Sequence, residues 1–275
     1  MAEGHAVIRW ARALRALVGE PIETLSMPKR WGDRPQALVG AHVARVETRG
    51  KHLLLHLSGG QTLHTHGSMY GSWQVGERPV ALRKPRERVR LGLVTAGAPG
   101  HEAVFYHGPT VELLTPSELA AHERLTTLGP DVMAPTAGLE AGGAFDRQEA
   151  ERRLRAAGDA PVKPTLLDQR VVAGVGNIFA SEALFLARVD PRRPAASVTD
   201  GELDRLWPAL QDMMWRGTER WGRTQTTPPA MQAEGKGRWV YQRKGRPCWV
   251  CGTPVELVRL PPYERATYLC PGCQA

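Results

Sequence analysis

The sequence predicts an α+β protein of two domains, an N-terminal helix plus β-sandwich followed by a helical domain with a C-terminal ribbon. Three observations predict it. Apolar residues at helical spacing open the chain, short alternating runs broken by Gly and Pro fill residues 21–114, and helical patterning returns after residue 145 before four cysteines close the sequence. The 275 residues, 42% of them hydrophobic, suit one large domain or two small ones with buried cores. Lys and Arg number 36 against 28 Asp and Glu, a formal charge of +8, which favours a polyanionic partner such as nucleic acid or an acidic membrane surface. No apolar run approaches the roughly 20 residues of a membrane span. Met1-Ala2-Glu3-Gly4-His5 has neither the basic nor the apolar region of a secretion signal, so neither an integral membrane protein nor a secreted one is expected.

Taken in chain order, Val7, Trp10, Ala11, Leu14 and Val18 lie on one face of an amphipathic helix over residues 3–18. Lys51-His-Leu-Leu-Leu-His-Leu57 and Arg88-Val-Arg-Leu-Gly-Leu-Val94 alternate as strands of a sandwich do. Thr115-Pro-Ser-Glu118 has the pattern of a helix N-terminus, with Glu at the third position of a capping box. The Gly-, Ala- and Pro-rich stretch 126–145 is expected to link a domain of residues 1–125 to a helical domain of residues 146–238, with the ribbon over 239–275. Within the helical part, the polar, Gly-containing segment 223–238 is expected as a mobile loop.

The cysteines read Cys248-Trp-Val-Cys251 and, eighteen residues later, Cys270-Pro-Gly-Cys273. Two such pairs match a four-thiolate ribbon holding one structural Zn2+, with a β-hairpin between them. Two disulfides are the alternative, and no secretion signal supports them. The nine histidines, His64 and His66 included, show no metal-ligand spacing outside the ribbon.

The most informative segment besides the ribbon runs from Leu166 to Leu184. Apolar residues at 166, 167, 171 and 172 suit a helix, and Gly174-Val-Gly176-Asn177 makes a tight turn into another. A glycine turn at a helix N-terminus offers backbone N–H groups to a phosphate; a plain helix–helix turn reads the same way. The string resembles the helix–two-turn–helix of the Fpg/Nei DNA glycosylases (formamidopyrimidine-DNA glycosylase and endonuclease VIII), as does Val240-Tyr-Gln-Arg-Lys-Gly-Arg-Pro-Cys248 leading into the ribbon. The resemblance covers nearly the whole chain. Arg49-Gly-Lys51 is similar to the family's strand whose lysine contacts DNA phosphate, and His64-Thr-His-Gly-Ser-Met-Tyr-Gly-Ser-Trp73 to the void-filling loop of endonuclease VIII. Phe105-Tyr106, Val111 to Leu119 and Leu128 to Val132 also look closer to endonuclease VIII. The Arg-Arg-Phe-Gly stretch of members acting on 8-oxoguanine is absent around 105–109.

The resemblance implies a glycosylase with AP lyase activity that removes oxidised bases, pyrimidines favoured and purine lesions left open, from damaged double-stranded DNA lying in a basic cleft between two lobes. A monomer in the bacterial cytoplasm, associated with the nucleoid through DNA, is expected. The family's nucleophile is an N-terminal proline amine exposed by loss of Met, and here the position is Ala2. A primary α-amine with a reference pKa of about 7.7–8.0 can form the same Schiff base. Glu3 keeps one family acid, while a second is replaced by Ala6. The resemblance gives Lys51, Asn177 and Arg265 as phosphate contacts, and Met69 and Tyr70 as the pair that wedges into the space left by a flipped base. Asn177 also reads as a helix cap, Met69 and Tyr70 as core residues, and Lys163 either as a DNA contact or as a surface charge. With neither the proline nor the second glutamate, a damage-binding protein that does not cut and a monofunctional glycosylase stay open.

Overall fold

The first helix, α1 (Gly4–Leu14), buries Val7, Trp10, Ala11 and Leu14. It is shorter than its periodicity suggests. Residues Arg15–Leu17 tighten into a 3-10 turn, and Val18 leaves the helical face to bridge to Val43. The structure, a computed structural model, describes residues 2–85, 88–136, 138–140, 142–219, 222, 224–262 and 264–274.

Strands β1 (Ile22–Ser26), β2 (Val43–Arg49), β3 (His52–Leu57), β4 (Thr62–His66), β5 (Ser72–Glu77), β6 (Val89–Thr95), β7 (His101–Tyr106) and β8 (Thr110–Leu114) form two antiparallel sheets, β1-β6-β7-β5 and β2-β3-β4-β8. Period-2 alternation sends Leu53, Leu55 and Leu57 of β3, Leu63 of β4, and Leu91 and Leu93 of β6 into one core with the apolar face of α1, closed by Trp73 and Phe105. The opposite face of the second sheet carries histidines and charged residues around the buried Leu54. There His52 pairs with His66, and His64 pairs with Leu54 on one side and Glu112 on the other. Short helices α2 (Pro116–Ala120) and α3 (Glu123–Thr126) follow, α2 opened by the expected capping box between Thr115 and Glu118.

The second unit contains α4 (Arg147–Ala156), α5 (Val162–Leu167), α6 (Asn177–Ala187), α7 (Asp200–Thr218) and α8 (Pro229–Ala233), and a hairpin of β9 (Glu256–Leu260) and β10 (Arg265–Leu269). Helix α6 is buried on nearly every side, as a helix apolar all round must be. It packs against α7, whose first turn is held by a capping box between Thr199 and Glu202. The stretch 126–145 is shared: Leu128–Ala134 folds with the second unit and Pro135–Glu140 with the first. Leu139 is buried in the sandwich core, and Arg12 of α1 donates to its carbonyl at 3.1 Å.

Candidate functional site

At the N-terminal end, Glu3 has the extended backbone of an N-cap, and its carbonyl accepts from the amides of Ala6 at 2.8 Å and Val7 at 3.3 Å. Its side chain is fully buried and does not cap the helix, so a carboxyl group is kept in the interior directly after Ala2. Ala2 is buried too, and its backbone nitrogen donates to the Ser68 carbonyl at 3.2 Å. Ser68 belongs to the loop between β4 and β5, closed by the Gly71 amide donating to the Gly67 carbonyl at 2.7 Å. Glycine is required at position 71, because a Cβ there would lie 2.3 Å from the Gly67 Cα. The same loop lifts Met69 and Tyr70 into solvent, 50% and 72% exposed, rather than into a core. One tight loop therefore holds the backbone nitrogen of Ala2 and presents the exposed apolar pair.

Lys51 and Gly50 are the central residues of the β2–β3 turn. Gly50 has φ 57°, which favours glycine at the first of two hairpin positions. Lys51 lies near His66, whose pKa is lowered to about 4 by burial first and then by the Lys51 charge. Burial also lowers His52 to about 2. Lys51 is thus a cation beside neutral imidazoles.

In the second unit, α5 leads through two turns into α6. Gly174, at φ 90°, and Gly176 carry the chain into Asn177. Gln169 braces these turns, donating to the carbonyls of Leu167 at 2.9 Å and Val175 at 3.0 Å and accepting from the Gly174 amide at 3.1 Å. The Asn177 side chain reaches β10 instead of capping the helix, its Nδ2 donating to the Ala266 carbonyl at 3.1 Å. Lys163 is fully buried, not a surface charge. Its Nζ donates to Asn177 Oδ1 at 2.6 Å, Thr267 Oγ1 at 2.9 Å and the Ala266 carbonyl at 3.1 Å. Three acceptors match the three N–H bonds of an ammonium, so Lys163 ties α5, α6 and the hairpin together. Replacing it with Met should leave those acceptors short of a donor and lower stability by about 3 kcal/mol, read by denaturant unfolding. Arg265, at the start of β10, is exposed.

The four cysteines converge. Cys251 Sγ lies 3.4 Å from Cys270 Sγ, and Cys248 Sγ lies 3.9 Å from Cys273 Sγ. These separations exclude disulfides and fit the edges of a tetrahedron with metal–sulfur bonds of about 2.3 Å. Hydrogen bonds from Thr253 bring Cys251 down to about 6, whereas burial and the Cys251 sulfur push Cys270 up to about 11. A divalent cation would offset that crowding of sulfurs. Phe185, Val240 and Val255 pack with Cys248 and Cys270, joining the ribbon to the C-terminal end of α6.

The chain matches the formamidopyrimidine-DNA glycosylase N-terminal domain over residues 1–108 and the formamidopyrimidine-DNA glycosylase H2TH domain over residues 137–228. It is 33% identical over 284 residues to endonuclease 8 1 of Mycobacterium tuberculosis, with 100% of both chains covered. The chain belongs to the Fpg/Nei family. It is also 34% identical over 277 residues to the DNA-(apurinic or apyrimidinic site) lyase Nei2 of Mycolicibacterium smegmatis, covering 100% of this chain and 99% of that one. A Lactococcus lactis Fpg complexed with abasic-site DNA shares the fold at a TM-score of 0.78 and 22% identity, over 99% of each chain.

In this Fpg/Nei chain the segment expected as a mobile loop is tied down; its first residue, 223, lies outside the described residues. Thr226 and Thr227 are fully buried, α8 interrupts the segment, and Arg216 donates to the carbonyls of Thr227 at 3.0 Å and Thr226 at 3.1 Å. The residue that sequence reasoning missed is Glu182. Fully buried on α6, it accepts from the amides of Trp239 at 2.8 Å, Val240 at 2.9 Å and Tyr241 at 2.7 Å, and from the Thr226 hydroxyl. Its one signal in the sequence was an acidic residue inside an otherwise apolar helix, Asn177-Ile-Phe-Ala-Ser-Glu182-Ala-Leu184.

Proposed function

We propose that this protein is a base-excision-repair DNA glycosylase with AP lyase activity, acting on oxidised bases, pyrimidines favoured, through the amine of Ala2. The observation that carries the reading is the N-terminal arrangement: a backbone nitrogen held by the Ser68 carbonyl, a buried carboxyl at the next residue, and an exposed Met69–Tyr70 pair on the loop that holds it. After loss of Met1 the amine attacks C1′ of the damaged nucleotide and the base departs. The resulting Schiff base undergoes β- and δ-elimination, and Glu3 supplies the acid or base. Ala6 offers no carboxylate, so Glu3 carries this work without a second acid nearby on α1. Lys51, Asn177 and Arg265 contact phosphates, which sets position rather than sequence readout. Lys163 contributes by orienting Asn177. One Zn2+ on the four cysteines shapes the hairpin that carries Arg265. The protein is taken to act as a monomer on damaged duplex DNA in the cytoplasm; no described helix is long and apolar enough to cross a membrane.

The test is release of thymine glycol from a duplex, followed with strand cleavage on the same substrate. Base release with a nick supports the reading. Base release without a nick makes the enzyme monofunctional, and tight lesion binding with neither makes it a damage-binding protein. In direct binding to abasic-site duplexes, Lys51→Ala and Arg265→Ala should each weaken affinity broadly and reduce the slope of log K against log salt by about one unit. Unchanged affinity and slope in both variants would show that neither side chain touches a phosphate.

A further inference from the structure

The histidine-bearing face of the β2-β3-β4-β8 sheet brings together three side chains that no spacing in the sequence connects. Antiparallel pairing places His64 of β4 directly opposite Glu112 of β8, the position at which same-face side chains meet. Helix α2 then turns the chain back, so that His122, the N-cap of α3, comes over the same carboxylate. His64 Nδ1 and Glu112 Oε2 are 2.7 Å apart, and His122 Nε2 and the same Oε2 are 3.1 Å apart. The three ligand atoms all lie within 4.8 Å of one another.

We propose that His64, Glu112 and His122 form a second metal site, separate from the cysteine ribbon, that binds one divalent cation of the zinc class. Two imidazole nitrogens and one carboxylate oxygen are a donor set for Zn2+ and its transition-metal neighbours rather than for Mg2+ or Ca2+. Metal–ligand bonds of about 2.0–2.2 Å need these atoms to separate only slightly. The supporting contact is already made. With His64 Nδ1 turned to the ion, its Nε2–H donates to His52 Nδ1, 2.8 Å away, as the second nitrogen of a metal-bound histidine usually does. His64 is fully buried, whereas the side chains of His122 and Glu112 are 16% and 33% exposed, which gives the ion a way in and a position open to water. A bound cation would pin the start of α3 onto the sheet. Through His64 and His52 it would also stiffen the hairpin that carries Lys51.

The experiment uses untagged full-length protein whose cysteines are already saturated with Zn2+, titrated with Co2+. Calorimetry gives the stoichiometry, and the visible d–d absorption of Co2+ reports nitrogen and oxygen ligands. Wild type should take up one further equivalent and melt at a higher temperature with it. Glu112→Gln and His122→Gln, both at partly exposed positions, should weaken that equivalent at least tenfold, while His52→Gln should weaken it by about 10- to 100-fold through the lost support. Absence of a further equivalent in wild type would overturn the proposal. So would a further equivalent that binds equally well to Glu112→Gln and His122→Gln.

Discussion

Borohydride reduction of the protein on abasic duplex DNA should leave a covalent adduct on Ala2, and a chain that retains Met1 or carries a blocked amine should lose the adduct entirely. The Ser68 carbonyl accepts one N–H of this nitrogen and fixes where it sits, on the loop that carries Met69 and Tyr70. A primary amine condenses with the opened sugar aldehyde as a lysine does. Proline's secondary amine is the better nucleophile and gives an iminium directly, so turnover through Ala2 should be slower than through proline. Ala2→Pro should therefore increase the rate of trapping at neutral pH, provided Met1 is still removed. Ala6→Glu tests the second departure, since a carboxylate in the first turn of α1 should accelerate the elimination steps without changing the site of the adduct. Peptide mass mapping decides the matter: an adduct on Lys51 or another lysine would move the nucleophile elsewhere.

A loss of stability as large as that at Lys163 is expected at Glu182. Its carboxylate takes three backbone amides from consecutive residues and the Thr226 hydroxyl, all in the interior. Glu182→Ala removes the acceptor from four buried donors at once and leaves a cavity where water has little access. Hydrogen bonds to a charged group contribute about 1.5–3 kcal/mol each, and non-additivity keeps the total near the upper end of a single contribution, so a loss of about 3 kcal/mol is expected. For a unit of this size that corresponds to a fall in melting temperature of about 6–12 °C. Amide exchange should show residues 224–241 losing protection before the sandwich does, because Glu182 is what ties that stretch to α6. Uniform loss of protection across both units would contradict this account. Glu182→Gln keeps one of the two accepting oxygens and turns an NH2 toward the donors of the other, so it should lose stability too, but less than Ala because it leaves no cavity.

Much of the fold was legible because it is written in local periodicity. Leu53, Leu55 and Leu57 alternate inward as the sequence suggests, the Thr115 and Glu118 capping box starts a helix, and the glycines at 174 and 176 separate α5 from α6. The helix end at Leu14 was less legible, because Val18 continues the helical pattern while its tertiary bridge to Val43 takes it elsewhere. The order of residues 224–238 was illegible for a related reason. Polar and glycine-containing composition signals a loop, but whether a loop is held depends on an acceptor far away in the chain, here Glu182 on α6.

By itself the sequence determined the two-part architecture and the four-cysteine ribbon, since residue type, spacing and alternation are properties of short segments. The tertiary structure alone decided which side chains share a site. Lys163 meets Asn177 at a separation of 14 residues and Thr267 at a separation of 104, His64 meets Glu112 across 48, and Glu182 reaches Tyr241 across 59. Burial turned Lys163 from a surface charge into an internal tie, and strand register together with the turn through α2 made neighbours of two histidines and a glutamate without common spacing. The physical reason is the same in each case: hydrogen bonds and coordination act over about 3 Å in space, and only the packed chain brings residues far apart in sequence within that distance.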